Sequence, residues 1–535
     1  SGLYGAIFEG QTPSQDCIDA LTAQMKTETE LSQNVVEADF TGSLFDLPAG
    51  KLKFAAGADY REDVFLYSPD PLLDTSSIND APIGLFPSAP VTGRIGVKEG
   101  YGELLVPVLK DLPMVQSFDL DLAGRYSSYD WHGGDPAVNG GTSGWTYMAQ
   151  GDWKVNPWLR FRGGYQLAVR APNIAELFQP TTAGVVFANA GDPCASTTPV
   201  PWGNNASNPN RLATQKLCLA LIQTTNPNAG TTFYAPGGSA NSYTGLFPFY
   251  FPITIDHQMG NGNLKPETAH TWTAGIVLRS PVQGPLLSRL QGSIDWYSIK
   301  IVGAINPVTS EVSYEQCLNA SGSSNPSLTV GGSPFCNLIQ REAITGGNRF
   351  ANAPFENLGE LKTEGLDFHM NWGADFGDLG MHAIPGSLIL DWEFNWLWKY
   401  DIQNIPGGAV LEYAGTVNGP AGSAFRYKMY TTLTWANPFG SLGVTWLHLP
   451  GARDASLVVT PSSKILGPGG YDEFNLFGTW KLSARYEFRA GVDNLFDRNP
   501  NVIGATPGTT NALGTTIPDY DVIGRRFYVG VRARF

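Results

Sequence analysis

Along much of the chain, apolar and polar residues alternate one by one. In the last nine residues, Phe527, Val529, Val531, Ala533 and Phe535 fall on one face, and Tyr528, Gly530, Arg532 and Arg534 on the other. Such period-two alternation predicts a β-strand with one greasy face and one wet face. The pattern recurs. Leu52, Phe54, Ala56, Ala58 and Tyr60 oppose Lys51, Lys53, Asp59 and Arg61. Leu159, Phe161 and Tyr165 oppose Arg160, Arg162 and Gln166; Trp272, Ala274, Ile276 and Leu278 oppose Thr271, Thr273 and Arg279. Leu388, Leu390, Trp392, Phe394 and Trp396 oppose Asp391, Glu393 and Asn395. One such strand would suit an antiparallel sandwich with a solvated face. Here, however, the polar face repeatedly carries full charges, and the apolar face carries Trp, Tyr and Phe near strand ends. That combination predicts a lipid-facing band with aromatic girdles around a watery lumen.

The connections sort by length. Short turns are expected at 46–50, 111–113, 156–157, 281–285, 437–440 and around Lys481, with a slightly longer one at 375–386. Long links are expected at 64–93, 131–142, 171–267, 302–354, 402–423, 451–469 and 498–519. Short turns at one rim and long loops at the other are the habit of outer-membrane barrels. The fold class read from this is all-β: an antiparallel transmembrane β-barrel with about fifteen strands in this chain and long extracellular loops. A closed bacterial barrel has an even number of strands, so the odd count implies strands outside this chain.

Within that plan, residues 1–33 read as an extracellular loop holding a short helix, with Ser14 as N-cap, and residues 34–535 as barrel. The spans 171–267 and 302–354 read as large extracellular insertions. The first contains a helical stretch, 209–223, with Leu212, Leu217, Leu219, Ala220 and Ile222 at near-helical spacing.

Composition agrees. Of 535 residues only 15 % are charged and 12 % are aromatic, while 62 Gly and 38 Pro supply turns. No apolar run approaches the ~20 residues of a membrane helix. A net charge of −14 excludes nucleic acid, which demands a basic surface. It leaves two readings open: a solvated acidic exterior, or acidic loops that attract cations. No secretory signal begins at Ser1, which fits a mature chain or one starting partway into a longer protein.

Cys194 with Cys218, and Cys317 with Cys336, are sequence-local pairs in Gly/Pro/Ser/Asn-rich loops. Each would close a loop of about 20–25 residues, worth roughly 3 kcal/mol in the chain-entropy model. The alternative is metal ligation, but there is no CxxC and no HExxH, and the six His are scattered. Cys17 is left over, and an odd Cys in an oxidised protein points to a partner elsewhere.

Several stretches resemble the TonB-dependent receptors: "YQLAVRAPNIAELFQP" (165–180), "NGNLKPETAHTWTAGIVL" (261–278), "GVDNLFDRNP" (491–500) and the Phe-terminated last strand. "FTGSLFDLPAGKLKFAAGADYRED" (40–63) and "VKEGYGELLVPVL" (97–109) agree with them in order. The resemblance implies a twenty-two-stranded barrel closed by an amino-terminal plug, of which this chain holds the last fifteen strands. It implies uptake of a scarce, bulky nutrient (siderophore, cobalamin, oligosaccharide or peptide) across the outer membrane of a Gram-negative bacterium. It also implies coupling to the TonB–ExbB–ExbD complex through a TonB box on the plug. Phe535 resembles the family's barrel-insertion signal. No plug-like segment is visible, so the plug and remaining strands are expected as a separate chain or fragment, with Cys17 pairing there. An open sheet of this kind could not sit in lipid alone, because its edges would bare backbone groups to hydrocarbon.

No catalytic constellation stands out: there is no GxSxG, Walker loop or paired-His metal motif, and the chain reads as a non-enzyme. Lumen carboxylates such as Asp391 and Glu393 read as solvated pore lining. Trp202, Phe233, Tyr234, Tyr243, Phe247, Phe249, Tyr250 and Phe251 in the long loop could stack on a sugar or a flat chelate, or pack the loop against itself. Asp70, Asp74 and Asp80 are candidate Ca²⁺ oxygens, although their spacing fits no EF-hand; no other cofactor is expected. Two rival functions remain: a passive porin-like channel, and a secreted β-solenoid enzyme acting on polysaccharide. The solenoid would need a fixed repeat of some twenty residues, which is not found.

Overall fold

The computed structural model describes residues 14–73, 88–134, 138–187, 192–195, 198, 200–228, 253–343, 346–420, 422–503, 514–515 and 518–534. Among these, the period-two segments pair into one large antiparallel wall. The wall strands, in chain order, are β1 (Glu28–Leu47), β2 (Gly50–Ser68), β3 (Val91–Leu112), β4 (Val115–Gly133), β5 (Val138–Asn156), β6 (Leu159–Arg170), β7 (Glu267–Arg279) and β8 (Gln291–Pro307). They continue as β9 (Asn348–Asp375), β10 (Ser387–Gln403), β11 (Tyr427–Asn437), β12 (Gly440–Leu449), β13 (Tyr471–Lys481), β14 (Tyr486–Asp493) and β15 (Arg526–Ala533). The large sheet has nineteen strands; four are short loop strands, and the other fifteen are the wall.

Each wall strand pairs with its sequence neighbours, as an up-and-down barrel requires. Among the described residues β1 pairs only with β2, and β15 only with β14, so the wall has two free edges. Its outward apolar side chains meet no protein layer: Trp272 is 54 % exposed, and Phe527 and Val529 about three-quarters. That distribution rules out the sandwich, whose apolar face would be covered.

Three boundaries differ from the sequence reading. β1 begins at Glu28, so the first helix, α1 (Gln15–Leu21), is shorter than the 14–33 pattern suggested. Ser14 does cap it, accepting from Cys17 N. The link expected at 131–142 shrinks to 134–137, because β4 and β5 pair out to Gly133 and Val138. Glycines and small polar residues there obscure the alternation without breaking the ladder. The last strand ends at Ala533, although Arg534 N still donates to Arg485 O; Phe535 lies outside the described residues.

The long loops between β6 and β7 and between β8 and β9 fold together into a cap. A loop strand, Ile253–Met259, pairs antiparallel with Thr182–Phe187 and parallel with the first residues of β9. Ile339–Arg341 pairs antiparallel with the same end of β9. At 28 residues, β9 is thus both wall stave and cap spine. Helices α2 (Ile174–Phe178), α3 (Arg211–Gln223) and α4 (Ser310–Cys317) complete the layer. In α3 the buried positions are Thr214, Leu217, Cys218, Leu221 and Ile222, a clean helical stripe, while Leu212 faces solvent. The Cys194–Cys218 and Cys317–Cys336 disulfides form as the spacing predicted, with Cα–Cα separations of 5.7 and 4.8 Å. Both lie in one core with Leu217, Leu221, Ile222, Tyr314, Leu318 and Ile339.

Candidate functional site

Where the cap meets the wall, the chain doubles back inside the rim. β6 ends at Arg170, and Asn173 starts α2 with a capping box: its side chain accepts from Glu176 N, and Glu176 accepts from Asn173 N. This satisfies two orphan donors at once. Arg170 then forks across two carboxylates, donating to Glu176 at 2.9 and 3.0 Å and to Glu267 at 2.6 and 2.8 Å. Glu267, the first residue of β7, also accepts from Ile305 N at 2.7 Å. A planar guanidinium matches paired carboxylates in a way Lys cannot. This clasp closes the 96-residue-wide excursion between Arg170 and Glu267 at its neck.

The clasp seats α2 against the inner wall. Leu177 and Phe178 are almost wholly buried with Val91, Ile95, Val97, Trp131, Leu264 and Ile305. The Phe178 ring lies where a side chain at Gly93 would stand: a Cβ there would come within 2.3 Å of it. Beside this core lies a cavity of about 920 Å³. Phe65, Tyr67 and Tyr129 supply flat surface to it, Val91, Ile95 and Val97 an aliphatic floor, and the Arg61–Asp63 ion pair and the clasped Arg170 polar groups at its margin. The β2 contributors, Arg61 to Tyr67, continue the face that carries Asp59, so the cavity opens on the lumen side. Its dimensions suit a small-molecule ligand, and its aromatic lining suits one with flat surfaces.

The cap holds carboxyls in unusual surroundings. Burial, with Glu315 four residues on, pushes the Glu311 carboxyl up to about 7. Burial also raises Glu315 and Asp256, although Asp256 accepts from Ser310 N at the start of α4. Arg341 is completely buried and pairs with Asp192, and its guanidinium lies 5.8 Å from the Tyr314 ring.

Of the aromatics singled out from sequence, Trp202 packs on the disulfide core rather than into the cavity. Phe233, Tyr234, Tyr243, Phe247, Phe249, Tyr250 and Phe251 lie outside the described residues, as do Asp74 and Asp80. Asp70 accepts from Lys26 N at 2.7 Å and Leu72 N at 2.9 Å, and those donors hold its carboxyl below the usual range. Cys17 is a free thiol on α1. Sequence reasoning missed the clasp and the inner cavity. Both motifs that build the clasp were legible, but nothing in a linear pattern says that Arg170 of one meets Glu267 of the other.

The chain matches the family model of the TonB-dependent receptor-like β-barrel over residues 5–211 and 221–495. A ferric enterobactin receptor of Pseudomonas aeruginosa is 29 % identical over 203 residues, covering 36 % of this chain and 24 % of that protein. A crystal structure of the same organism's receptor in complex with enterobactin superposes with a TM-score of 0.54 at 16 % identity, over 95 % of this chain and 55 % of that one. The Serratia marcescens hemophore receptor, solved with its hemophore and heme, gives 0.52 at 14 % identity over 96 % and 60 %. The chain therefore spans about a quarter of the curated relative and a little over half of these structures.

Proposed function

Because the chain belongs to the TonB-dependent receptor family, we propose that it forms most of the wall and the outer mouth of a transporter for a siderophore-type iron chelate. The observation that carries this reading is the lumen-side cavity, which sets aromatic faces and the Arg61–Asp63 ion pair beside the family's own motifs. A ferric chelate with planar, anionic arms would stack on Phe65, Tyr67 and Tyr129 and offer its charge to Arg61. The structures named above were solved with enterobactin, or with a hemophore and heme.

On this reading the free edges of β1 and β15 pair with strands outside these 535 residues, because open edges in hydrocarbon leave backbone groups unsatisfied. A plug engaging the TonB–ExbB–ExbD complex would supply the energy, and the outer membrane of a Gram-negative cell would be its place of work.

The test is uptake of radiolabelled ferric chelates by iron-starved cells with and without the gene, each in a strain with and without TonB. Gene- and TonB-dependent uptake is expected, weakened by Arg61→Ala. Solute entry that depends on the gene but not on TonB would instead identify a passive channel.

A further inference from the structure

Away from that cavity, the lumen face of β9 and β10 carries a second group of side chains that the transport reading does not use. His369 on β9 stands directly opposite Glu393 on β10, and Asn371 opposite Asp391. One ligand atom from each of His369, Asp391 and Glu393 lies within 4.8 Å of the others. His369 Nε2 is 3.3 Å from Asp391 Oδ2, which also accepts from Asn371 Nδ2 at 3.1 Å. His369 and Glu393 border a hollow of about 410 Å³ in the wall, lined also by Arg162, Ser293, Asp295, Asp367 and Asn395.

The charges of this hollow are unevenly answered. Arg162 forks onto Asp295 with two bonds of 2.7 Å and neutralises it. Asp367 accepts an amide from Asn395 at 2.6 Å. Among the described residues no Lys or Arg forms an ion pair with Asp391 or Glu393, leaving two carboxylates and one imidazole clustered together, with His369 and Glu393 lining the hollow. Two rigid, registered strands hold them, which is a more exact mounting than a loop would provide.

We propose that His369, Asp391 and Glu393 form a binding site for a divalent cation of the Zn²⁺ type on the lumen wall. A Zn²⁺ ion holds N and O donors at about 2.0–2.2 Å in a tetrahedral shell, which sets neighbouring donors about 3.4 Å apart. His369 Nε2 and Asp391 Oδ2 stand near that spacing at 3.3 Å, and the Glu393 carboxylate, within 4.8 Å of both, would have to swing inward to join them. The imidazole selects a borderline cation over Ca²⁺ or Mg²⁺, which prefer shells made of oxygen alone. Three protein ligands leave at least one position for water, and the hollow has room for it, so the ion would exchange with the lumen. Asn371 orients Asp391, the outer-shell arrangement that metal-ligating carboxylates show.

The experiment uses tag-free protein purified in detergent from outer membranes, stripped with chelator, and titrated with Zn²⁺ against a chromophoric competitor. Folding of each variant is checked by its heat-modifiable migration. One Zn²⁺ per chain is expected, weakened at least about tenfold by His369→Ala and by Glu393→Gln, unchanged by Asp70→Asn, and not displaced by excess Ca²⁺. Folded wild-type protein that takes up no Zn²⁺ would overturn the proposal, as would a His369→Ala/Glu393→Gln double variant that binds as tightly as wild type. Binding is read without transport, so a negative result leaves the receptor reading standing.

Discussion

The β7–β8 hairpin and the α3–α4 layer of the cap draw on the same apolar residue types and hide them in opposite directions. On the hairpin, Trp272, Ile276, Leu278 and Ile294 turn outward and remain 39–54 % exposed in the isolated protein. In the cap, Leu217, Leu221, Ile222 and Tyr314 turn inward and are 0–2 % exposed. The wall borrows its apolar environment from lipid and needs no core of its own. The cap stands in water, has few residues to bury, and adds two disulfides and a buried ion pair to what burial alone provides. One chain thus obeys two solvent rules, and which rule applies changes along β9 itself.

That contrast can be broken most severely at Arg341. Removing it with Arg341→Ala strands the Asp192 carboxylate, and breaking a buried pair typically costs about 3–5 kcal/mol. Hydrogen exchange should show the cap loosening while wall strands keep their protection. Replacing Cys194 and Cys218 with Ser should cost about 3 kcal/mol, seen as proteolytic nicking between Arg170 and Glu267 with barrel migration unchanged. Nicking of the wall as well would mean that the two regions are one cooperative unit. On the wall, Ile294→Arg puts a charge against lipid at about 2–4 kcal/mol, detectable as slower folding into vesicles, whereas reducing agent should leave that rate alone. Gly93→Ala crowds Phe178 and should cost about 1–3 kcal/mol, read as a faster-exchanging α2.

The mildest test is pH. Glu311 is protonated more readily in the folded cap, near 7, than in an unfolded chain, near 4.5. The folded state therefore holds the extra proton between those values, and cap stability is greatest at the acid end and declines as pH rises through 7. Glu315 adds to that shift from one turn away, and burial, with the Glu311 charge, raises Tyr413 as well. Glu311→Gln should flatten the decline in a thermal-melt series from pH 5 to 8.

The wall was legible in the sequence because its physics is local. A strand between lipid and water must alternate, and Leu390 to Trp396 do so residue by residue; seven short turns between such runs, with the terminal strand, gave the count of about fifteen. Helix α3 was legible for a similar reason, and the disulfides because their Cys lie close along the chain. The clasp was not legible, since Arg170 and Glu267 are far apart in sequence and meet only once β6 and β7 pair. Nor was the His369 group: Asp391 and Glu393 read as pore lining, and only the register shows an imidazole standing opposite Glu393. Trp202 read either as ligand-stacking surface or as loop packing, because composition cannot say which way an indole turns; in the structure it packs on the disulfide core.

The length of β9 has a mechanical corollary. At about 3.3 Å per residue its 28 residues amount to some 90 Å of nearly inextensible backbone, running from the cap's buried core, past the imidazole in the lumen, to the inner rim. A load on the outermost lobe enters the wall through that strand and is shared with β8 and β10, to which it is hydrogen-bonded down the wall.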